Sequence, residues 1–181
     1  MPLWQKKLLL HSPSLIGKKP MNENEKLIEK FYTSFKNSDS KGMIECYHEE
    51  IEFSDPAFPF LKGKRAKAMW AFLCEKKADP NDRSFEKISA NDKTGSAHWE
   101  AKYIFPKTGR KVHNKIDAKF EFKDGKIINH IDSFDFWNWS SMALGPVGSI
   151  LGWTLFFQSI VQSEAKKALN EFIAANGEYI S

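Results

Sequence analysis

The chain of 181 residues has few of the residues that build covalent or metal-bound scaffolds. Its two cysteines, Cys46 and Cys74, have no zinc-site spacing and are too few for a disulfide framework. We expect both to be reduced, buried thiols in a cytoplasmic protein. The sequence also contains no glycine-rich phosphate loop and no pattern of metal ligands, so we expect neither a cofactor nor a metal.

The sequence lacks an uninterrupted apolar stretch long enough to span a membrane. Its excess of positive charge is confined to residues 1–20, which carry four of the 27 basic residues and none of the 23 acidic ones. The remainder is therefore balanced, without the clustered basic face of a nucleic-acid-binding protein, and we expect no nucleic-acid partner. The apolar run in residues 1–20 is too short for a signal peptide. We interpret this segment as a mobile extension, with a weak membrane-surface tether as the alternative.

Aromatic residues are abundant, at 14% of the chain with 15 Phe and 6 Trp. This content indicates either a large core or a cavity lined by aromatic rings.

Three helices are predicted before residue 80. Asn22 stands three residues before Glu25, as in a capping box, and opens the first helix. A second helix begins at Asp39 and presents Met43, Ile44 and Tyr47 on one side. The third, GKRAKAMWAFLCEKK, directs four residues inward: Ala66, Met69, Trp70 and Leu73.

The remaining pattern predicts strands. IEFSD alternates and stops at Pro56, and from residue 83 the hydrophobic period is two. Long strands flank the turns PKTGR and KDGK, the second of which contains the Asp-Gly pair typical of tight hairpins. Helices followed by such a meander of antiparallel strands predict an α+β fold.

The end of the chain differs from the rest. The segment SMALGPVGSILGWTLFF is apolar but broken by glycines and a proline, so we interpret it as a loop-like cover. A helix with an apolar stripe follows and ends at Asn176-Gly177. We divide the chain into an extension (1–20), an α+β domain (21–137) and a C-terminal cover and helix (138–181). The last segment is expected over the mouth of the domain or at a homodimer interface.

Strand alternation collects candidate site residues on one face of the sheet: Phe53, Asp55, Trp99, Tyr103 and Asn114. The last strand adds either His130, Asp132 and Phe134 or the opposite-parity set Ile127, Asn129, Ile131 and Ser133. Parity alone does not decide between the two sets. The first set is of more interest because it contains an imidazole and a carboxylate. Phe58, Phe60, Trp70 and Trp137 complete the aromatic lining.

Asp55 is the most reactive candidate. A carboxylate among apolar rings has its pKa raised by desolvation, which suits proton transfer near neutral pH. The alternative is that Asp55 only bonds to backbone amides in an Asp-Pro turn. For His130 and Asp132 the alternative is a hydrogen-bonded pair in the core without a substrate.

The order of these motifs resembles a known superfamily. A capped helix, then N-S-D-x-x-G-M-I, then F-S-D-P on a strand is similar to the start of the cone-shaped fold of ketosteroid isomerase, SnoaL-like cyclases, limonene-epoxide hydrolase and nuclear transport factor 2. The segments TGRKVHN, FEFKDGKI and HIDSFDFW resemble the SnoaL-like subset. The resemblance covers about residues 22–137 and implies a cone-shaped domain, with a curved antiparallel sheet packed on the three N-terminal helices and the C-terminal helix as an addition.

The resemblance implies that Asp55 occupies the place of the isomerase general base. It places Phe31 where the isomerase has a tyrosine, with Tyr32 one residue away, and Ala118 where it has a second aspartate. Steroid isomerisation is therefore not expected. The stretch HIDSFD resembles the one that holds the last aspartate of the epoxide hydrolases, which supports an inward-facing Asp132.

We therefore predict a domain that binds a small apolar molecule of terpenoid, steroid or polyketide size. Asp55 would act as general base, with Asp132 or His130 as its polar partner. A non-catalytic ligand carrier and a dimeric protein-interaction module are the alternatives.

Overall fold

A computed structural model of the protein describes residues 20–75 and 77–179. The predicted extension, apart from Pro20, thus lies outside the described residues. Helix α1 (Glu23–Lys36) begins at the predicted capping box, where the Asn22 side chain accepts from the Glu25 backbone N at 2.8 Å. Helix α2 (Ser40–Glu45) is capped by Asp39, which accepts from the Gly42 amide at 3.0 Å. Helix α3 is Lys64–Cys74.

The strands form one curved, unclosed six-stranded sheet in the order β2-β1-β6-β5-β4-β3. Their bounds are β1 Tyr47–Ser54, β2 Leu61–Lys62, β3 Arg83–Ala90, β4 Thr94–Ile104, β5 Lys111–Lys123 and β6 Lys126–Ser133. Strands β3 to β6 make the predicted antiparallel meander. Strand β1 runs parallel to β6, which sets the end of β1 beside His130. The predicted α+β class with a curved sheet is confirmed.

Two predictions about the helices are wrong. Tyr47 does not lie on α2: the helix ends at Glu45, and Tyr47 opens β1 opposite Ile127. Leu73 does not point inward but is 40% exposed. The inward position of that turn belongs to the next residue, Cys74, whose sulfur lies 3.8 Å from the sulfur of Met43. Both cysteines are buried and free, as predicted.

The interpretation of the apolar C-terminal segment as a loop is also wrong. It forms helices α4 (Phe136–Leu144) and α5 (Pro146–Leu151). Its glycines permit close helix contact: a Cβ on Gly148 would lie 1.9 Å from the backbone oxygen of Ser140. Helix α6 (Leu155–Ala175) ends just before Asn176, as predicted.

Helix α6 contributes to the main core. Leu169 and Ile173 are buried in it, and Phe172 packs on Phe72 of α3 with ring centroids 5.6 Å apart. A smaller cluster under α4 contains Val112, Trp139 and Ala143. Within the described residues, no helix is long and apolar enough to span a bilayer.

Candidate functional site

Asp55 lies immediately after β1, in the turn that Pro56 opens. Its Oδ1 accepts hydrogen bonds from the backbone amides of Ala57 at 2.7 Å and Phe58 at 2.5 Å. Its own amide donates to the Phe58 carbonyl at 2.9 Å. The turn interpretation of Asp55 therefore holds for Oδ1, whereas Oδ2 accepts from no donor in residues 20–75 and 77–179. The carboxylate can stabilise the turn through one oxygen and present the other to a reactant.

The pKa of Asp55 is raised to about 7, mainly by burial and to a smaller extent by the nearby charge of Asp132. The backbone hydrogen bonds from Phe58 and Ala57 act in the opposite direction and lower it. Burial prevails because it disfavours the charged form of the carboxyl group. Near neutral pH this group is therefore present both with and without its proton, which is the condition for a general base or acid.

A chain of hydrogen bonds crosses the interior beneath Asp55. The Tyr47 hydroxyl lies 2.7 Å from Nδ1 of His130, and Nε2 of His130 lies 3.0 Å from Oδ1 of Asp132. Each end is closed by an indole: Trp70 donates to the Tyr47 hydroxyl at 2.7 Å, and Trp99 donates to Oδ1 of Asp132 at 3.2 Å. We call these five residues the buried polar chain.

The donors in this chain determine the histidine tautomer. Because the Asp132 carboxylate can only accept, the ring proton of His130 lies on Nε2 and is donated to Asp132. Nδ1 of the neutral imidazole then accepts from the Tyr47 hydroxyl, whose oxygen accepts from Trp70. His130 is fully buried and Asp132 is 3% exposed. The chain thus holds the Asp132 carboxylate in a fixed position in the interior.

Aromatic rings surround His130 on several sides. Trp70 stacks on the imidazole with a centroid distance of 5.8 Å, and Phe120 lies at 4.4 Å. Phe31 and Phe53 present their edges at 5.4 and 5.2 Å. The predicted aromatic wall is therefore real, but its rings pack closely on the histidine itself. An open apolar cavity at this depth stays a prediction.

Tyr32 is a polar residue whose importance the sequence pattern did not show. Its hydroxyl is the one buried side-chain polar atom in the described part of the chain without a hydrogen-bond partner. Burial raises the pKa of Tyr32 well above its usual value, and the charges of Asp132 and Tyr47 add to this effect. The hydroxyl therefore lies within electrostatic range of Asp132. An unpaired buried donor is costly, so it marks a place for a bound water or ligand atom.

The end of the domain near Asp55 carries further polar groups. Tyr103, which is 38% exposed, accepts a hydrogen bond from the Trp139 indole at 2.8 Å. Burial of its hydroxyl raises the pKa of Tyr103, and the charge of Asp55 adds to this. Asn114 is half-buried on the inward face of β5, opposite Ala101. The predicted mouth of the domain would include Asp55, Tyr103 and Asn114, which we call the mouth residues.

The predicted aromatic residues divide into two groups. Phe53, Phe58, Trp70 and Trp99 are buried, and Phe134 is partly buried between the two apolar clusters. Phe60 and Trp137 are 63% and 53% exposed, so neither is covered by the domain as the aromatic lining would require. Trp137 donates to the Ser149 carbonyl at 3.0 Å and thereby connects α4 to α5.

The facing of β6 resolves the two sets left open by the sequence. His130 and Asp132 are buried, whereas Ile131 is 39% exposed. Ile127 is nevertheless buried too, although it belongs to the opposite-parity set. The cause is a bulge: Glu121 pairs with Asn129 while Phe122 pairs with Ile127, so Ile128 is an extra residue and the facing shifts there.

Other charged or concave features contain none of the candidate catalytic residues. His98 and Glu100 belong to an ion-pair network with Asp117 and His113, and Asp117 is largely exposed. A groove of about 530 Å³ runs beside Asn91, Thr94 and Glu121 and includes none of the candidate catalytic residues. No group of three or more His, Cys, Asp or Glu side chains among the described residues is arranged to hold a metal ion.

The comparisons with known proteins agree on one fold family. Residues 28–130 match the family model described as the SnoaL-like domain. A candidate SnoaL-like polyketide cyclase from Jannaschia sp. CCS1 is similar over 72% of this chain and 99% of its own, with 14% identity and a TM-score of 0.59. An LEH-like epoxide hydrolase from M. tuberculosis is similar over 71% and 96%, with 18% identity and a TM-score of 0.52.

A further solved structure, TerC co-crystallised with polyporic acid, is similar over 68% of this chain and 99% of its own. The identity is 14% and the TM-score 0.56. At these identities the structures establish a shared fold alone. The search of curated protein sequences finds no match.

Proposed function

The chain belongs to the SnoaL-like domain family, and we propose that it binds a small, largely apolar molecule at the mouth residues and transfers a proton on it through Asp55. The observation that carries this proposal is the carboxyl group of Asp55, held by a turn at the edge of an aromatic interior with a pKa of about 7. We expect a ligand of terpenoid, steroid or polyketide size.

Asp132 and Tyr32 extend the proposal. Asp132 pairs across the sheet with Ala118, so a carboxylate is present beside the position where the isomerase resemblance requires one. The unpartnered hydroxyl of Tyr32 is the donor that the same resemblance placed at Phe31. Of the two, only the Tyr32 hydroxyl can donate to a ligand oxygen as charge develops on it. The Asp132 carboxylate, which accepts from His130 and Trp99, can instead accept from a donor group of the ligand. In this proposal His130 is a positioning residue, since the imidazole acts through Asp132.

A general test of Asp55 uses 5-nitrobenzisoxazole, whose ring opening needs only a base. The base takes the proton on carbon 3, the N–O bond breaks, and the coloured phenolate is released. We expect a rate that rises with pH through an apparent pKa near 7, and a loss of about 100-fold or more in Asp55→Asn. Asp117→Asn, which removes an exposed carboxylate, is the matched control. Equal rates in the wild type and Asp55→Asn would refute the proposed role.

A non-catalytic ligand carrier is the second candidate, favoured because Asp55 hydrogen-bonds to backbone amides and to no polar side chain of the described residues. In that case a fluorescent naphthalene sulfonate should bind the protein, and Asp55→Asn should change its affinity. No base-catalysed ring opening above the Asp55→Asn level would then be measured.

A further inference from the structure

A long uncharged segment connects the domain to α6. From Phe136 to Ser163 the chain contains 28 consecutive residues without Asp, Glu, Lys or Arg. It includes α4, α5 and the first half of α6. Such a stretch would be unremarkable inside a core, but a large part of this one lies on the surface.

Six large apolar side chains protrude in and just after α5, and we call them the apolar patch: Val147, Ile150, Leu151, Trp153, Leu155 and Phe156. Their exposed fractions run from 45% at Leu151 to 83% at Leu155. The spacing of Val147, Ile150 and Leu151 places their side chains on one face of α5. Large contiguous exposed apolar surfaces mark sites that contact a partner or a membrane.

The polar groups around the patch are already paired within the segment. The indoles of Trp137 and Trp153 donate to the carbonyls of Ser149 and Ile150 at 3.0 and 2.9 Å. Five hydroxyl groups also donate to backbone carbonyls of this segment: Ser140, Ser141, Ser149, Thr154 and Ser159. A protein partner would find few donors to bind here. A hydrocarbon environment, by contrast, requires internal pairing of this kind.

A basic hairpin tip packs against the end of α4 and Gly145, just before the first patch residue in the chain. In the β4–β5 turn, Thr108 donates to the Ala143 carbonyl at 2.6 Å and Arg110 Nε donates to the Met142 carbonyl at 2.8 Å. The Arg110 guanidinium lies so close to Gly145 that a Cβ there would be 3.2 Å from it. Lys111 is exposed next to Arg110, and neither has an ion-pair partner among the described residues.

We propose that the apolar patch and the basic hairpin tip dock the protein on the surface of an anionic lipid bilayer. The patch would enter the boundary between headgroups and acyl chains, with Trp153 at the depth that tryptophan prefers. Arg110 and Lys111 would contact the lipid phosphates. The helices would lie along the membrane surface and not cross it, and the docking requires no property of Asp55.

The test uses the full chain and flotation with two kinds of vesicle, phosphatidylcholine alone and phosphatidylcholine mixed with phosphatidylglycerol. We expect the mixed vesicles to bind the protein more strongly. The double variant Leu155→Ser, Phe156→Ser should weaken this binding by about tenfold or more. Leu73→Ser, Ile131→Ser is the matched control, since it removes exposed apolar side chains elsewhere, and it should bind like the wild type. Arg110→Gln and Lys111→Gln should each weaken binding by about fivefold.

Three results would overturn the proposal. The first is unchanged vesicle binding in the Leu155→Ser, Phe156→Ser variant. If binding is then lost when the four lysines of residues 1–20 are replaced, those lysines and not the patch bind the vesicles. The second is equal binding to both kinds of vesicle. The third is an absence of vesicle binding in the wild type. If sedimentation velocity then shows a dimer in the wild type and a monomer in the patch variant, the patch contacts a second copy of the chain.

Discussion

The buried polar chain and the apolar patch both contain tryptophans, but their indoles donate to different kinds of partner. In the interior, Trp70 and Trp99 donate their indole hydrogens to Tyr47 and Asp132, so polar groups are satisfied by distant parts of the sequence. On the patch, Trp153 donates to the carbonyl of Ile150, three residues away. The interior therefore depends on tertiary structure for its hydrogen bonds, whereas the patch depends only on its own helices.

Because of this difference, we expect substitutions in the two regions to affect stability differently. An interior substitution leaves other buried groups without partners, so we expect it to cost stability. A patch substitution leaves no polar group unpaired and should cost little stability. Its effect should be on what the surface binds.

The largest expected effect comes from removing the centre of the buried polar chain. His130→Ala takes away the partner of both Tyr47 and Asp132 and leaves a hole among the surrounding rings. We expect the free energy of unfolding to fall by about 3–5 kcal/mol, as measured by urea denaturation. The neighbouring Ile131→Ala, at a half-exposed position, should cost less than about 1 kcal/mol. A small loss in His130→Ala would mean that the chain contributes little to the fold.

Replacing tyrosine by phenylalanine should lower the stability of the protein at position 47 and raise it at position 32. Tyr47→Phe removes a hydroxyl that bonds to His130 and Trp70, and should destabilise the protein by about 2 kcal/mol. Tyr32→Phe removes a buried hydroxyl without a partner and should stabilise it by about 1 kcal/mol. Thermal unfolding of the two variants measures both effects. If Tyr32→Phe were destabilising instead, its hydroxyl would have a partner in solution, such as an ordered water.

The pH dependence of stability tests whether the pKa of Asp55 is raised in the folded protein. The folded pKa of Asp55, about 7, is above its unfolded value of about 3.9. Between these values the folded state holds a proton that the unfolded state has lost, so stability falls as the pH rises from about 4 to 7 and is then constant. The slope is at most about 1.4 kcal/mol per pH unit, and partial exposure of Asp55 reduces it.

Urea midpoints between pH 5 and pH 8 should therefore decline in the wild type more than in Asp55→Asn. Glu100 does not disturb the comparison, because hydrogen bonds from His113 and other neighbours hold its pKa at about 2 and it stays ionised throughout. Parallel pH profiles for the two proteins would show that Asp55 titrates in its ordinary range.

Local patterns were sufficient for much of the fold. The capping box at Asn22 and the Asp124-Gly125 turn involve residues a few positions apart, and both are present as predicted. The alternation of β5 also predicted its inward face, with Ile116 and Ala118 buried between exposed neighbours. Such features are encoded within single elements and need no knowledge of tertiary contacts.

The site was less predictable because its contacts join distant elements. Tyr47 and His130 meet only through the parallel pairing of β1 with β6, and the bulge at Ile128 changes the facing within one strand. Neither feature has a sequence signal of its own. The glycines of the C-terminal segment led to the wrong prediction of a loop because their role also depends on a tertiary contact. Gly148 permits the close approach of Ser140 and does not interrupt the helices.

The smallest expected change in stability belongs to the patch. Leu155→Ser, Phe156→Ser alters side chains that are 83% and 76% exposed, at the start of a helix already capped by Thr154. The free energy of unfolding should change by less than about 0.5 kcal/mol, as measured by urea denaturation without vesicles. Truncating two large side chains can be nearly neutral only if water surrounds them in the free protein. A loss above about 1 kcal/mol would mean that something covers the patch, either residues of the same chain or a second copy, and that Leu155 and Phe156 belong to an interior like that of His130.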